Sequence, residues 1–121
     1  MNFLAVCLGG ALGCGARYLV SLGAAALFHT GFPIATFAVN LVGSFLLAFF
    51  SGLGISSPTL RLMLTTGAMG GFTTYSTFNL ETLKLFQSGA WLTASLNIVV
   101  TLLSCLFAGL LGLWLGAKMS R

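Results

Sequence analysis

Apolar residues fill this chain in four long blocks, separated by short clusters rich in Gly, Pro and Ser. The first block covers residues 2–28 and ends at His29-Thr30-Gly31-Phe32-Pro33. Gly and Pro there mark a turn, and Pro33 suits the first turn of the helix that follows. The second block covers 33–53 and ends at Gly54-Ile55-Ser56-Ser57-Pro58. The third covers 59–86, with Gln87-Ser88-Gly89 after it, and the fourth covers 90–117, closed by Lys118 and Arg121. A helix needs about 20 apolar residues to cross a bilayer. The pattern predicts an all-α membrane protein, a single domain over 1–121 with four transmembrane helices. No loop is long enough for a soluble domain.

The third block is the least regular. Gly67-Ala68-Met69-Gly70-Gly71-Phe72-Thr73-Thr74-Tyr75-Ser76-Thr77-Phe78 is dominated by Gly, Ser and Thr, which are weaker helix formers than Ala or Leu. Clustered at mid-membrane depth, they predict a third helix broken near 70–77. Broken backbone is tolerated there only when buried in protein or lining a cavity. It frees carbonyl oxygens, which can hold a cation without any carboxylate.

Two polar stripes interrupt the apolar background. Thr36, Asn40 and Ser44 recur every four residues in the second block, with Gly43 beside them, so they share one helical face. Asn97 and Thr101 stand four apart in the fourth block, with Ser104 beyond. Such groups either hydrogen-bond another helix or donate to something in a pathway, and spacing leaves both readings of Asn40 open. Two donor stripes without acids fit an anion better than a metal cation. Tyr75 and Phe78, three apart, can share a face of the half-helix after the break, where ring edges carry positive potential. Gly9/Gly13 and Gly112/Gly116 are GxxxG pairs, suited to close helix packing within a subunit or between subunits.

Composition agrees. Only 5% of the 121 residues are charged, against about 25% in soluble domains, and 58% are hydrophobic. This excludes a soluble globular, disordered or disulfide-built protein. The net charge of +4 is scattered, which argues against a nucleic-acid surface. Met1-Asn2-Phe3 lacks a basic n-region, so the first block is expected to be retained. Cys7, Cys14 and Cys105 have no CxxC spacing and read as small apolar residues. One acid, one His and scattered Cys leave no triad or metal set, so an enzyme is not expected. With four spans, Arg61, Lys118 and Arg121 fall on one side and Lys84 on the other, a slim positive-inside bias compatible with insertion in both orientations.

Arg17 and Glu81 lie among apolar residues, where a charge is a functional candidate. Arg17 can draw anions to a vestibule or snorkel to the interface. Glu81 can pair with Lys84 three residues on, or sit in the first turn of the second half-helix.

These stretches together resemble the Fluc (CrcB) family of fluoride channels. The resemblance rests on Gly9-Gly10-Ala11-Leu12-Gly13 with Arg17-Tyr18, on Thr36-Phe37-Ala38-Val39-Asn40-Leu41-Val42-Gly43, on Thr65-Thr66-Gly67 and on Gly70-Gly71-Phe72-Thr73-Thr74-Tyr75-Ser76-Thr77-Phe78 with Glu81. It is looser around Leu96-Asn97. It implies an antiparallel, dual-topology homodimer with two anion pathways in the bacterial inner membrane. It implies passive fluoride export that relieves fluoride toxicity. It also implies a structural Na⁺ at the dimer centre, held by the backbone carbonyls of Gly70 and Thr73. The family's pathway positions fall on Asn40, Tyr75 and Phe78, with further polar positions on Thr36, Asn97 and Thr101. The chain departs from the family at Tyr75, where Phe is usual, at Asn79, where Ser is frequent, and at Asn97, where some members carry Tyr. A hydroxyl on residue 75 can reorient the ring or offer the ion a donor.

Two other classes compete. A small dual-topology drug or cation exporter needs a carboxylate in its first span, and this chain has none there. A non-transporting assembly subunit leaves the broken span and donor stripes without a purpose.

Overall fold

The computed structural model describes residues 1–121 and is entirely helical. Three helices are long and apolar enough to cross a membrane: α1 (Asn2–Leu27), α2 (Ile34–Gly52) and α6 (Trp91–Met119). The third block is assembled from pieces: α3 (Pro58–Leu62), a π-helical stretch (Met63–Met69), α4 (Gly70–Phe72) and α5 (Tyr75–Gln87). Ser57 caps α3 by accepting from the Leu60 N–H, with Pro58 in the first turn. Gly54 and Gly89 take φ of 63° and 81°, which closes the second and third turns.

The break is narrower than the composition predicts. Gly70 and Gly71 are helical, and Tyr75 already opens α5, so only Thr73 and Thr74 leave the helix. Gly71 and Gly67 serve packing instead. A methyl on Gly71 would meet the Gly10 carbonyl at 2.6 Å, and one on Gly67 the Val6 carbonyl at 2.8 Å. Gly9 and Gly13 likewise admit the backbone of Met63 and Ala68. Their small size thus seats α1 directly on the third segment. Gly112 and Gly116 do the same for α6 against the backbone of Phe45 and Phe49 in α2. Both GxxxG pairs therefore pack helices within the subunit.

The interior is polar and the exterior apolar. Among 15 buried residues the apolar side chains are Ala5, Val39, Phe78 and Ala94, while Thr36, Thr74, Thr82, Asn97 and Thr101 are buried polar. Leucines of α1 and α6 point outward along their whole length. In water this would be an unstable arrangement, since burial of apolar surface drives folding there. In a bilayer it is expected: lipid solvates the leucines, and packing and hydrogen bonds hold the helices.

Candidate functional site

The site grows from the two residues that leave the third helix. Thr73 and Thr74 both have extended backbone. Asn40 of α2 faces Thr74 and makes two bonds to its backbone: Nδ2 donates to the carbonyl at 3.0 Å, and Oδ1 accepts from the N–H at 2.8 Å. The side-chain amide thus satisfies backbone groups that the helix abandons. Gly43, one turn along α2, leaves room for Thr73, because a methyl there would overlap Thr73 Cγ2. Thr74 then caps α5 by accepting from the Thr77 N–H.

These substitutions free two carbonyls. The regular helical donor for the Gly70 carbonyl would be the Thr74 N–H, which Asn40 Oδ1 takes. The regular donor for the Thr73 carbonyl would be the Thr77 N–H, which Thr74 Oγ1 takes. Arg17 Nη1 donates to the Thr73 carbonyl at 3.3 Å. A carbonyl has a second lone pair, so this does not exhaust it. Gly70 lies on an exposed face, and a methyl added there would meet only the Thr65 carbonyl oxygen, at 3.9 Å. No cluster of His, Cys, Asp or Glu is available to ligate a metal. The oxygens at the break are backbone carbonyls and threonine hydroxyls.

Four of the six expected pathway residues share one groove of about 220 Å³: Asn40, Tyr75, Phe78 and Thr101, joined by Ser44 and Thr73. The Tyr75 and Phe78 rings lie 5.9 Å apart and are inclined at 49°. Phe78 is 7% exposed, whereas Tyr75 is 74% exposed.

The other two sit elsewhere. Asn97 is 1% exposed, and its Nδ2 donates to Thr82 Oγ1 at 2.9 Å. Thr82 in turn donates to the Phe78 carbonyl at 2.8 Å, and Thr101 donates to Asn97 Oδ1 at 3.2 Å. Asn97 thus ties α6 to α5 at the turn that carries Phe78, and the Thr101 proton points inward to it. Of the two readings that spacing leaves for this stripe, the hydrogen bonds seen here are those of helix packing, while Thr101 also borders the groove. Thr36 lies on the opposite side of the break, in a groove of about 270 Å³ with Cys14, Arg17, Ser21 and Thr74. Its hydroxyl donates to Glu81 Oε1 at 2.9 Å. Glu81 stands in the second turn of α5, not the first, and its partner is Thr36 instead of Lys84. Glu81 Oε2 is buried without a partner. Arg17 turns toward the break and does not run along the helix to an interface.

Thr74 and Thr82 were not singled out by spacing. Thr74 carried a readable signal, a hydroxyl residue placed where the second half-helix has to begin. The largest groove, about 810 Å³ between α2 and α6, is lined by eight apolar residues and Ser104 and brings no donor set together.

Residues 4–113 match the model of the family described as CrcB-like protein, Camphor Resistance (CrcB). A protein of Sorangium cellulosum named fluoride-specific ion channel FluC is 49% identical over 110 residues, 88% of this chain and 87% of the relative. Proteins of the same name from Anaeromyxobacter dehalogenans and Shewanella woodyi are similar. The first is 50% identical over 111 residues, 88% of each chain. The second is 46% identical over 114 residues, 92% of each.

Proposed function

The chain belongs to the CrcB family, and we propose that it is a fluoride-selective channel that lets fluoride leave the cell passively and so relieves fluoride toxicity. The observation that supports this best is the groove beside the break, where an amide and two aromatic rings meet without a carboxylate. Fluoride is small and strongly hydrated, so it enters only where donors replace its water. The Asn40 amide has a second N–H beyond the one given to Thr74, and ring edges carry positive potential. A negative-inside potential drives an anion outward by about 2.3 kcal/mol per 100 mV, so no ATP site or proton coupling is needed.

The working form in this reading is a homodimer of four-span subunits, inserted antiparallel in the bacterial inner membrane. A Na⁺ sits between the subunits on the Gly70 and Thr73 carbonyls of each. Two carbonyls from one chain are too few to replace the hydration shell of a cation, and a second copy doubles them. The ion supplies fixed positive charge and holds the two breaks together. Labelling a single cysteine near the C-terminus, in a protein lacking Cys7, Cys14 and Cys105, is expected to find it on both membrane faces. Labelling from one face alone would exclude dual topology.

The decisive experiment is ion efflux from liposomes holding the purified protein. Rapid fluoride efflux with little chloride efflux is expected. Equal efflux of both ions, or none of fluoride, would refute the assignment.

A further inference from the structure

Tyr75 presents a polar atom that nothing in the subunit satisfies. It opens α5 at the break, deep within the third membrane segment, and is 74% exposed. The hydrogen bonds around it join Asn40 to Thr74, Thr73 to Met69 and Thr101 to Asn97, and none involves the phenol. A hydroxyl without a partner in an apolar medium costs several kcal/mol, so its position calls for an occupant.

Donor accounting in the groove says what that occupant is. The Thr73 hydroxyl is spent on the Met69 carbonyl and the Thr101 hydroxyl on Asn97. One Asn40 N–H is spent on the Thr74 carbonyl. Three donors remain: the second N–H of Asn40, the O–H of Ser44 and the O–H of Tyr75. No ionised side chain lines this groove. A site with three free donors and no anionic group takes a small anion.

We propose that the Tyr75 hydroxyl donates directly to the permeating anion and is a specificity-determining residue, forming a holding site that a bare ring does not provide. This rests on the channel reading above. A donor that tightens binding also slows release, and conduction needs both entry and exit. Tyr75 therefore lowers the fluoride concentration at which flux saturates and limits the maximal rate.

The test compares the unmodified protein with Tyr75→Phe in liposomes, measuring initial fluoride efflux over a range of internal fluoride. Tyr75→Phe keeps the ring, and its elution on size exclusion checks assembly. The half-saturating fluoride concentration is expected to rise about tenfold, with maximal flux equal or higher. Equal half-saturation in two conducting proteins overturns the proposal and leaves the channel reading intact. So does unchanged half-saturation with weakened subunit association, which would give the hydroxyl to a second copy of the chain. Absence of fluoride efflux from the unmodified protein removes the channel reading and the proposal together.

Discussion

Asn40 holds Thr74 by both ends of its amide, donating to the carbonyl at 3.0 Å and accepting from the N–H at 2.8 Å. One side chain of α2 therefore stands in for a missing helical turn. Asn40→Asp keeps the acceptor and loses the donor, which strands the Thr74 carbonyl and sets negative charge beside an anion route. About 3 kcal/mol of added barrier is expected, a flux loss of roughly 150-fold. Near-normal fluoride efflux from well-folded Asn40→Asp protein would move the route elsewhere.

Phe78 is buried and borders the groove. Phe78→Ile keeps an apolar side chain of related size, so stability should change by no more than about 1.5 kcal/mol. Fluoride efflux should fall at least about tenfold, because the electropositive edge is gone. Efflux and size-exclusion elution measured on one preparation separate the two effects.

Asn97 separates support from conduction. Asn97→Ala removes the Thr82 bond that joins α6 to α5 and the Thr101 bond within α6, which should cost about 2 kcal/mol of stability. Flux per folded channel should change less than about tenfold, since Asn97 does not reach the groove. A large flux defect in a protein of unchanged thermal stability would instead make Asn97 a pathway residue.

Backbone contact between α1 and the third segment gives a paired test. Gly13→Ala drives a methyl into the Ala68 carbonyl and should destabilise by about 3 kcal/mol. Gly23→Ala, in the same helix with nothing within 4 Å, should be neutral or slightly stabilising. Thermal unfolding in detergent, followed by size exclusion, compares them directly.

Withdrawal of Na⁺ tests the carbonyl site. Purification with a large organic cation in place of Na⁺ should lower Tm by several degrees and weaken the dimer, because a ligand that binds the folded assembly stabilises it by mass action. Identical melting and elution in the two buffers would remove the ion from the scheme.

The helices were legible because apolar runs and Gly/Pro turns report directly on chain path. Helix ends fell within a residue or two of the turns, as at Leu27 before His29 and at Ile34 after Pro33. The break was legible as a region but not as a position. Composition pointed to Gly70-Gly71, yet glycine's weak helix propensity gave way to its value as a contact surface against Gly10. The interruption fell at Thr73 and Thr74, where Asn40 competes for the backbone, a tertiary event that composition does not report. The π-helical turn over Met63–Met69 was likewise invisible. Asn97 and Thr101 share a helical face as spacing required, but spacing cannot say that Asn97 meets Thr82 while Thr101 borders the groove.

At Thr73 and Thr74 two helix ends of opposite polarity meet. The segment ending at Phe72 brings the negative end of its macrodipole to the gap, and α5 brings its positive end, each about half an elementary charge. A chain with a single acidic residue thus sets both signs of potential at mid-membrane from peptide bonds alone. Peptide dipoles take up and lose no protons at cellular pH. The potential they set at the break therefore stays constant when the cytoplasm acidifies, a condition under which carboxylates would lose charge.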